Sequence, residues 1–326
     1  MWVRSLLNIA GRNAKVYIPI EEILAENRGN APDEAVIREK LIKIAALYRE
    51  KIRQHLENRK YRDWYRYRDN LIPCSLEIVA WDENRLGLQR TGDMSGLFEA
   101  LKLRPYWLIL GEAGSGKSTL LEKFLLDTGN SFPILIKTTN NSNEPVEAIR
   151  IALLEFQLSL TEEEINAGLK SRLFSILIDG LEERDEGQKK QIFKLCDAAL
   201  LLNIPVLAAV RETVFLSFKG SLNFPDYFGM LRLCAINSYK TRCYLDSRLG
   251  LEKARQAYNA VTEKEMAEVI RTPLILDTWL KYALTMNFPV SNSKMEILEH
   301  FFNYLFEIWD IPKVPGRHPV FVKERL

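Results

Sequence analysis

Tyr106-Trp-Leu-Ile-Leu-Gly111-Glu112-Ala113-Gly114-Ser115-Gly116-Lys117-Ser118-Thr119 is the stretch on which the fold turns. Five apolar residues in a row predict a strand buried on both faces, over 106–110. The next eight residues, Gly111 to Ser118, match G-x-x-x-x-G-K-[ST] at every fixed position, and a helix is predicted over 118–126. A strand, a glycine-rich turn and a helix in that order form a phosphate-binding loop. Gly111, Gly114 and Gly116 let backbone N–H groups converge on a β-phosphate with no Cβ in the way. The helix N-terminus adds partial positive charge. Lys117 reaches toward β- and γ-phosphates, and the Ser118 hydroxyl is placed to ligate Mg²⁺. The loop from Gly111 to Thr119 is therefore the predicted contact for a nucleotide's phosphates.

Outward from this loop, strands and helices alternate. Strands are predicted over 133–138, 173–178 and 205–210, and helices over 144–157 and 188–202. Short, continuously apolar strands alternating with amphipathic helices specify an α/β fold, a parallel sheet covered on both faces. The strand over 173–178 runs into Asp179-Gly-Leu-Glu182-Glu183. Ligands of such sheets bind at the carboxyl ends of the strands. Asp179 is placed there to orient the Mg²⁺ shell, and either Glu182 or Glu183 to polarise an attacking water. Arg211 ends the strand over 205–210, where it either senses a γ-phosphate or makes a structural ion pair.

Upstream, Ile37, Leu41, Ile44, Tyr48, Ile52 and Leu56 recur at three- and four-residue steps. They predict one helix to about residue 58, opened by Asn30 or Asp33 as cap. Between residues 49 and 68 lie eight Lys/Arg and three acidic residues, with Tyr61, Trp64, Tyr65 and Tyr67 interleaved. Two readings stand: a nucleic-acid or partner surface, or a solvated helix face whose aromatics pack on the next domain. A short strand is predicted over 75–81 and a loop over 82–96. From 238 onward only helices are predicted, over 239–249, 251–260, 263–270, 274–286 and 294–309.

Composition narrows the function classes. The 326 residues have room for about two domains. With 47% apolar and 27% charged residues the chain is of ordinary globular type, and 16 Gly and 13 Pro exclude disordered and collagenous classes. A net charge of +2 is too small for a whole-protein attraction to nucleic acid or lipid. No apolar run approaches the ~18 residues needed to span a bilayer, and Arg4 and Asn8 spoil a signal-peptide reading of the N-terminus. Cys74, Cys196, Cys234 and Cys243 have no CxxC spacing and the histidines are His55, His300 and His318 only. That argues against structural zinc and disulfides and for a reducing, cytoplasmic setting. No GxSxG, Asn-Lys-x-Asp or Leu-Ser-Gly-Gly occurs.

Taken together, residues 107–121, 173–183 and 206–211 resemble a NACHT domain of the STAND class of signalling NTPases. The family's metal motif is an apolar run followed by Asp-Gly-x-Asp-Glu; here Glu182 stands in place of the second Asp. Leu231-Arg-Leu-Cys-Ala-Ile236 leading to Tyr244-Leu245 resembles the strand and helix after the arginine sensor. Arg271-Thr-Pro273-Leu274 resembles the proline motif that packs on adenine from the helical subdomain. Residues 294–309 resemble the helix leading toward a winged helix. The resemblance spans about residues 90–310. It implies three parts: 1–80, a helical segment of unassigned role; 81–237, the NTPase domain; and 238–326, a helical subdomain without winged helix or sensor, His318 being no substitute for the family's nucleotide-contacting histidine. It further implies a slow, Mg²⁺-dependent ATPase switch that couples ADP/ATP exchange to self-association and signalling. A P-loop phosphotransferase and a nucleotide-binding scaffold that holds nucleic acid on the basic segment are the alternatives.

Overall fold

The computed structural model describes residues 34–58, 76–79, 90–91, 106–127, 131–137, 140–218, 228–263, 270–285 and 299. Tyr61, Trp64, Tyr65 and Tyr67, Cys74, the predicted helix over 294–309 apart from residue 299, and His318 lie outside them.

At the centre is β3 (Tyr106–Gly111), buried at every position. It pairs in parallel with β6 (Val206–Arg211) on one side and β7 (Gly229–Leu233) on the other. Beyond β6 come β5 (Phe174–Ile178) and then β4 (Phe132–Ile136), both parallel. Four of them, β3, β4, β5 and β6, are the ones the continuous apolar runs predict; β7 falls where residues 231–236 resemble the family's strand after the arginine sensor. The sheet does not stop there: β1 (Leu76–Val79) adds to β7 antiparallel, and β2 (Arg90–Thr91) adds to β1. The full order is β2-β1-β7-β3-β6-β5-β4. Arg90 and Thr91 thus form a two-residue strand inside the segment expected to be loop, because a free edge pairs with whatever extended backbone reaches it.

Around the sheet lie α2 (Lys117–Asp127), α3 (Pro145–Leu154), α4 (Glu162–Lys170), α5 (Glu186–Leu201) and α6 (Glu212–Phe218). The sequence predicts α3 as far as residue 157, but it stops at Leu154. Gln157 takes φ 55°, and the Phe156, Gln157 and Leu158 N–H groups bond back to Leu153 and Leu154 carbonyls, closing the helix end. Two helices absent from the sequence reading appear. Of these, α4 opens with a capping box, in which Thr161 accepts from the Glu164 N–H and Glu164 from the Thr161 N–H; the other, α6, follows Arg211 at once.

The helix before the sheet, α1 (Glu34–Asn58), turns its stripe inward: Leu41, Tyr48, Ile52 and Leu56 share one core with β3–β6. It covers β4, the outer parallel strand. The Tyr48 hydroxyl accepts the Leu135 N–H at 3.2 Å, and Arg49 donates to the Ser131 carbonyl at 3.0 Å. Burial pushes the Tyr48 phenol far up, with the Leu135 bond opposing the rise and the charge of Glu155 adding to it. Within the basic segment, Arg49 is thus tied to the fold at Ser131, whereas Arg53 pairs with Glu50 on the exposed side of the same helix.

After β7 the chain is helical: α7 (Ser238–Leu249), α8 (Leu251–Glu263) and α9 (Pro273–Thr285). They build a second core around Tyr244, Leu245, Ala257, Leu276 and Trp279. Residues 264–269 of the predicted helix 263–270 lie outside the described ones. Within this core the Tyr244 hydroxyl donates to Asp277 Oδ1 at 2.6 Å.

Candidate functional site

The loop after β3 is tight for steric reasons that can be counted. A Cβ on Gly111 would stand 2.6 Å from Ser115 Oγ. Gly114 and Gly116 have φ of 73° and 95°, open to glycine at no cost. The Ser115 N–H closes the turn on the Glu112 carbonyl at 3.2 Å, and the Leu120 N–H starts α2 on the Gly116 carbonyl at 2.8 Å. Glu112 and Ala113 face solvent, and Thr119 is half-buried in the first turn of α2.

Lys117 folds back over this loop. Its Nζ donates to the Gly111 and Glu112 carbonyls at 2.9 and 3.0 Å. Burial pushes its pKa down, and the charge of Glu182 is the foremost influence opposing that shift. The exposed Ser118 hydroxyl donates to Asp179 Oδ1 at 3.1 Å, bridging α2 to the end of β5. Burial raises the Asp179 pKa, while the Ser118 bond and the Gly180 N–H hold it down.

Gly180, at φ 65°, turns the chain into one 3₁₀ turn, Leu181–Glu183. Leu181 anchors this turn in the core, and the two glutamates separate. Glu183 points to solvent, whereas the Glu182 side chain is 11% exposed. Its Oε1 accepts from Arg211 Nε at 3.2 Å, and its Oε2 is buried with no hydrogen-bond partner. In the β3–β6 register Arg211 stands opposite Gly111. Lys117, Ser118, Asp179, Glu182 and Arg211 are thus brought to the carboxyl ends of three adjacent strands.

Sequence reasoning passed over two residues here. Arg184 is buried, and its guanidinium donates to the Lys137 carbonyl at 2.5 Å, the Asn140 carbonyl at 3.0 Å and Asn141 Oδ1 at 2.9 Å. It fastens the 3₁₀ turn to the loop after β4. The second is Leu274. Its N–H donates to the Gly114 carbonyl at 3.3 Å, and its side chain fills the space where a Gly114 Cβ would lie, 2.8 Å from Leu274 Cβ. Pro273, half-buried, is the first residue of α9, and Thr272 Oγ1 accepts from the Ile275 N–H at 3.4 Å. So Pro273 both starts a helix and lies next to the loop-contacting residue. The Arg271-Thr-Pro273-Leu274 resemblance includes Leu274 but gives it no role; its contact with the loop follows from the chain's return over the sheet.

The residues present suit a nucleotide with Mg²⁺. Glycine Cβ positions at 111 and 114 are already taken by Ser115 and Leu274, so the loop has backbone where a phosphate would approach. Among the described residues no group of three or more His, Cys, Asp or Glu could hold a metal. Mg²⁺ sites of this kind take one or two protein oxygens and complete the shell with phosphate and water. Ser118 Oγ and Asp179 Oδ1 are such a pair.

The chain has an α/β P-loop NTPase fold. No family model matches it, and no curated protein does. Among solved structures, Hsp104 in its closed state with ATPγS and FITC-casein matches at 15% identity and a TM-score of 0.39, over 58% of this chain and 36% of that one. A RuvB variant from Thermotoga maritima matches at 14% identity and a TM-score of 0.35, over 65% of this chain and 67% of that one. This chain spans little more than a third of the Hsp104 chain it matches. No described helix is long and apolar enough to cross a membrane.

Proposed function

We propose that the chain is an ATP-binding and slowly hydrolysing switch module of the NACHT type, in which the helical region closes over a nucleotide held at the Gly111–Thr119 loop. The observation that carries the reading is a convergence: Lys117, the Ser118–Asp179 pair and the Glu182–Arg211 pair meet at one sheet edge, with Leu274 seated on Gly114.

In this reading the loop N–H groups hold the β-phosphate. Lys117 exchanges the Gly111 and Glu112 carbonyls for phosphate oxygens of higher charge, which offsets the cost of its burial. The Ser118 and Asp179 oxygens would hold Mg²⁺, which would neutralise phosphate charge. Glu182 offers its unpartnered oxygen to an attacking water, accepting the proton as the water oxygen bonds to the γ-phosphorus and the bond to the β-phosphate oxygen breaks, leaving ADP and phosphate. Arg211 faces the same space and stabilises charge on the transferred group. Coupling of ADP/ATP exchange to self-association and signalling, in a cytoplasmic setting, belongs to the same proposal. Pro273 would flank the adenine.

The test is Mg²⁺-dependent ATP turnover by the full chain, compared with Lys117→Ala and repeated with small phosphate acceptors and with single-stranded nucleic acid. Turnover that is lost in Lys117→Ala and unaffected by either addition supports the switch. Transfer to an acceptor points instead to a phosphotransferase, and stimulation by nucleic acid to the basic-segment scaffold.

A further inference from the structure

The residue after Arg211 makes an ion pair that the mechanism above does not use. Glu212, first residue of α6, accepts from the Arg232 guanidinium at 2.5 Å. Arg232 lies on β7, opposite Leu110 in the register, whereas Arg211 lies on β6, opposite Gly111. The two strands are not neighbours, since β3 runs between them. The Glu212–Arg232 bond therefore crosses the end of the strand that carries the phosphate loop. Glu212 and Arg232 are both part-buried, at 23% and 38% exposure, and Arg232 Nε is buried with no hydrogen-bond partner.

Consecutive residues thus pull in opposite directions across the site. Arg211 reaches toward β5 through Glu182, and Glu212 reaches toward β7 through Arg232. Arg211 is 47% exposed and long, held at Nε by Glu182, so its direction depends on how well the backbone at 211–212 is held. The strand that holds it also leads to the helical region. Leu233 packs its Cβ 3.2 Å from where a Gly111 Cβ would stand, and three residues on, the Ile236 N–H donates to the Arg271 carbonyl just before Pro273.

We infer that Glu212 and Arg232 are positioning residues for Arg211, fixing the guanidinium over the phosphate loop and tying its placement to the strand that feeds the helical region. The inference rests on the ATPase reading proposed above. Neither side chain touches nucleotide. Their loss leaves binding intact and lowers the chemical step, because positioning errors of about an ångström cost up to ~10² in rate.

The experiment is steady-state ATP turnover and equilibrium ATP binding by the full chain, with thermal unfolding alongside, for wild type, Glu212→Gln, Arg232→Met and the charge reversal Glu212→Arg with Arg232→Glu. The expected result is a kcat lower by roughly ten- to a hundredfold in each single variant, with KM and ATP affinity within about twofold. The reversed pair regains most of the loss, as a direct coupling requires. The inference is overturned if the single variants keep wild-type kcat. It is equally overturned if their kcat falls together with thermal stability and ATP affinity, with no recovery in the reversed pair, for that is a purely structural bond. Absence of ATP turnover in the wild type would overturn the ATPase reading itself, and the positioning role with it.

Discussion

Leu274 stands on Gly114: its amide donates to the glycine carbonyl at 3.3 Å, and its side chain takes the volume that any larger residue at 114 would need. The contact joins two separately cored parts of the chain, the sheet with its helices and the helical region after residue 238. A nucleotide in the phosphate loop would have this contact beside it.

Leu274→Ala is therefore expected to release bound nucleotide faster. Removing three carbons of this half-buried side chain costs about 1–2 kcal/mol of apolar contact, equivalent to a rise in off-rate of roughly tenfold. Stopped-flow displacement of a fluorescent ATP analogue measures it, with thermal unfolding as the check on folding. An unchanged off-rate would mean that Leu274 does not guard the site.

The two glutamates make opposite predictions. Glu182 sits in the site with one oxygen unpartnered, and Glu183 faces solvent. Glu182→Gln is expected to lower kcat by ~10²–10⁴ while ATP still binds, as removal of a general base does. Glu183→Gln is expected to stay within a few-fold of wild type. The reverse ranking reassigns the base.

Asp179→Asn keeps the shape of the Ser118 bond and loses the charge. Nucleotide binding by this variant is expected to respond little to Mg²⁺, whereas wild-type binding tightens with it. Titrations with Mg²⁺ and with EDTA compare the two, and an equal response would remove Asp179 from the metal shell.

A fourth prediction concerns the edge of the sheet. Tyr48→Phe removes the acceptor of the Leu135 N–H and leaves that amide buried. The expected cost is about 1–3 kcal/mol, a fall in Tm of roughly 2–10 °C. ATP affinity is expected to be unchanged, since two strands, β6 and β5, separate β4 from β3.

Much of this arrangement is written locally. The loop and the strand ending at Asp179 declare themselves because a buried parallel strand is an unbroken apolar run and the loop chemistry demands glycines at fixed spacing. Arg211 is legible for the same reason, at the end of such a run. What was missed is non-local or short. Helix α4 spans only nine residues, and its one sign is the Thr161–Glu164 box. The antiparallel pairing of β1 with β7 links residues about 150 apart, and no local pattern encodes a partner at that distance. Glu182 and Glu183 are adjacent in sequence, and only the 3₁₀ turn after Gly180 sends one inward and the other out. Leu274 is an ordinary helix-start leucine until the chain folds back onto Gly114.

The central claim is that the Gly111–Thr119 loop with Lys117 binds ATP, and calorimetric titration of Mg²⁺-ATP into the full chain and into Lys117→Ala tests it most directly. Wild type is expected to bind one nucleotide, and at a hundredfold excess over Kd to gain ~2.7 kcal/mol of stability, a Tm rise of roughly 5–10 °C. Lys117→Ala, stripped of the one cation the loop brings to the β- and γ-phosphates, is expected to bind at least about tenfold more weakly and to show little of that rise. No binding by the wild type, or equal binding by both proteins, would contradict the account.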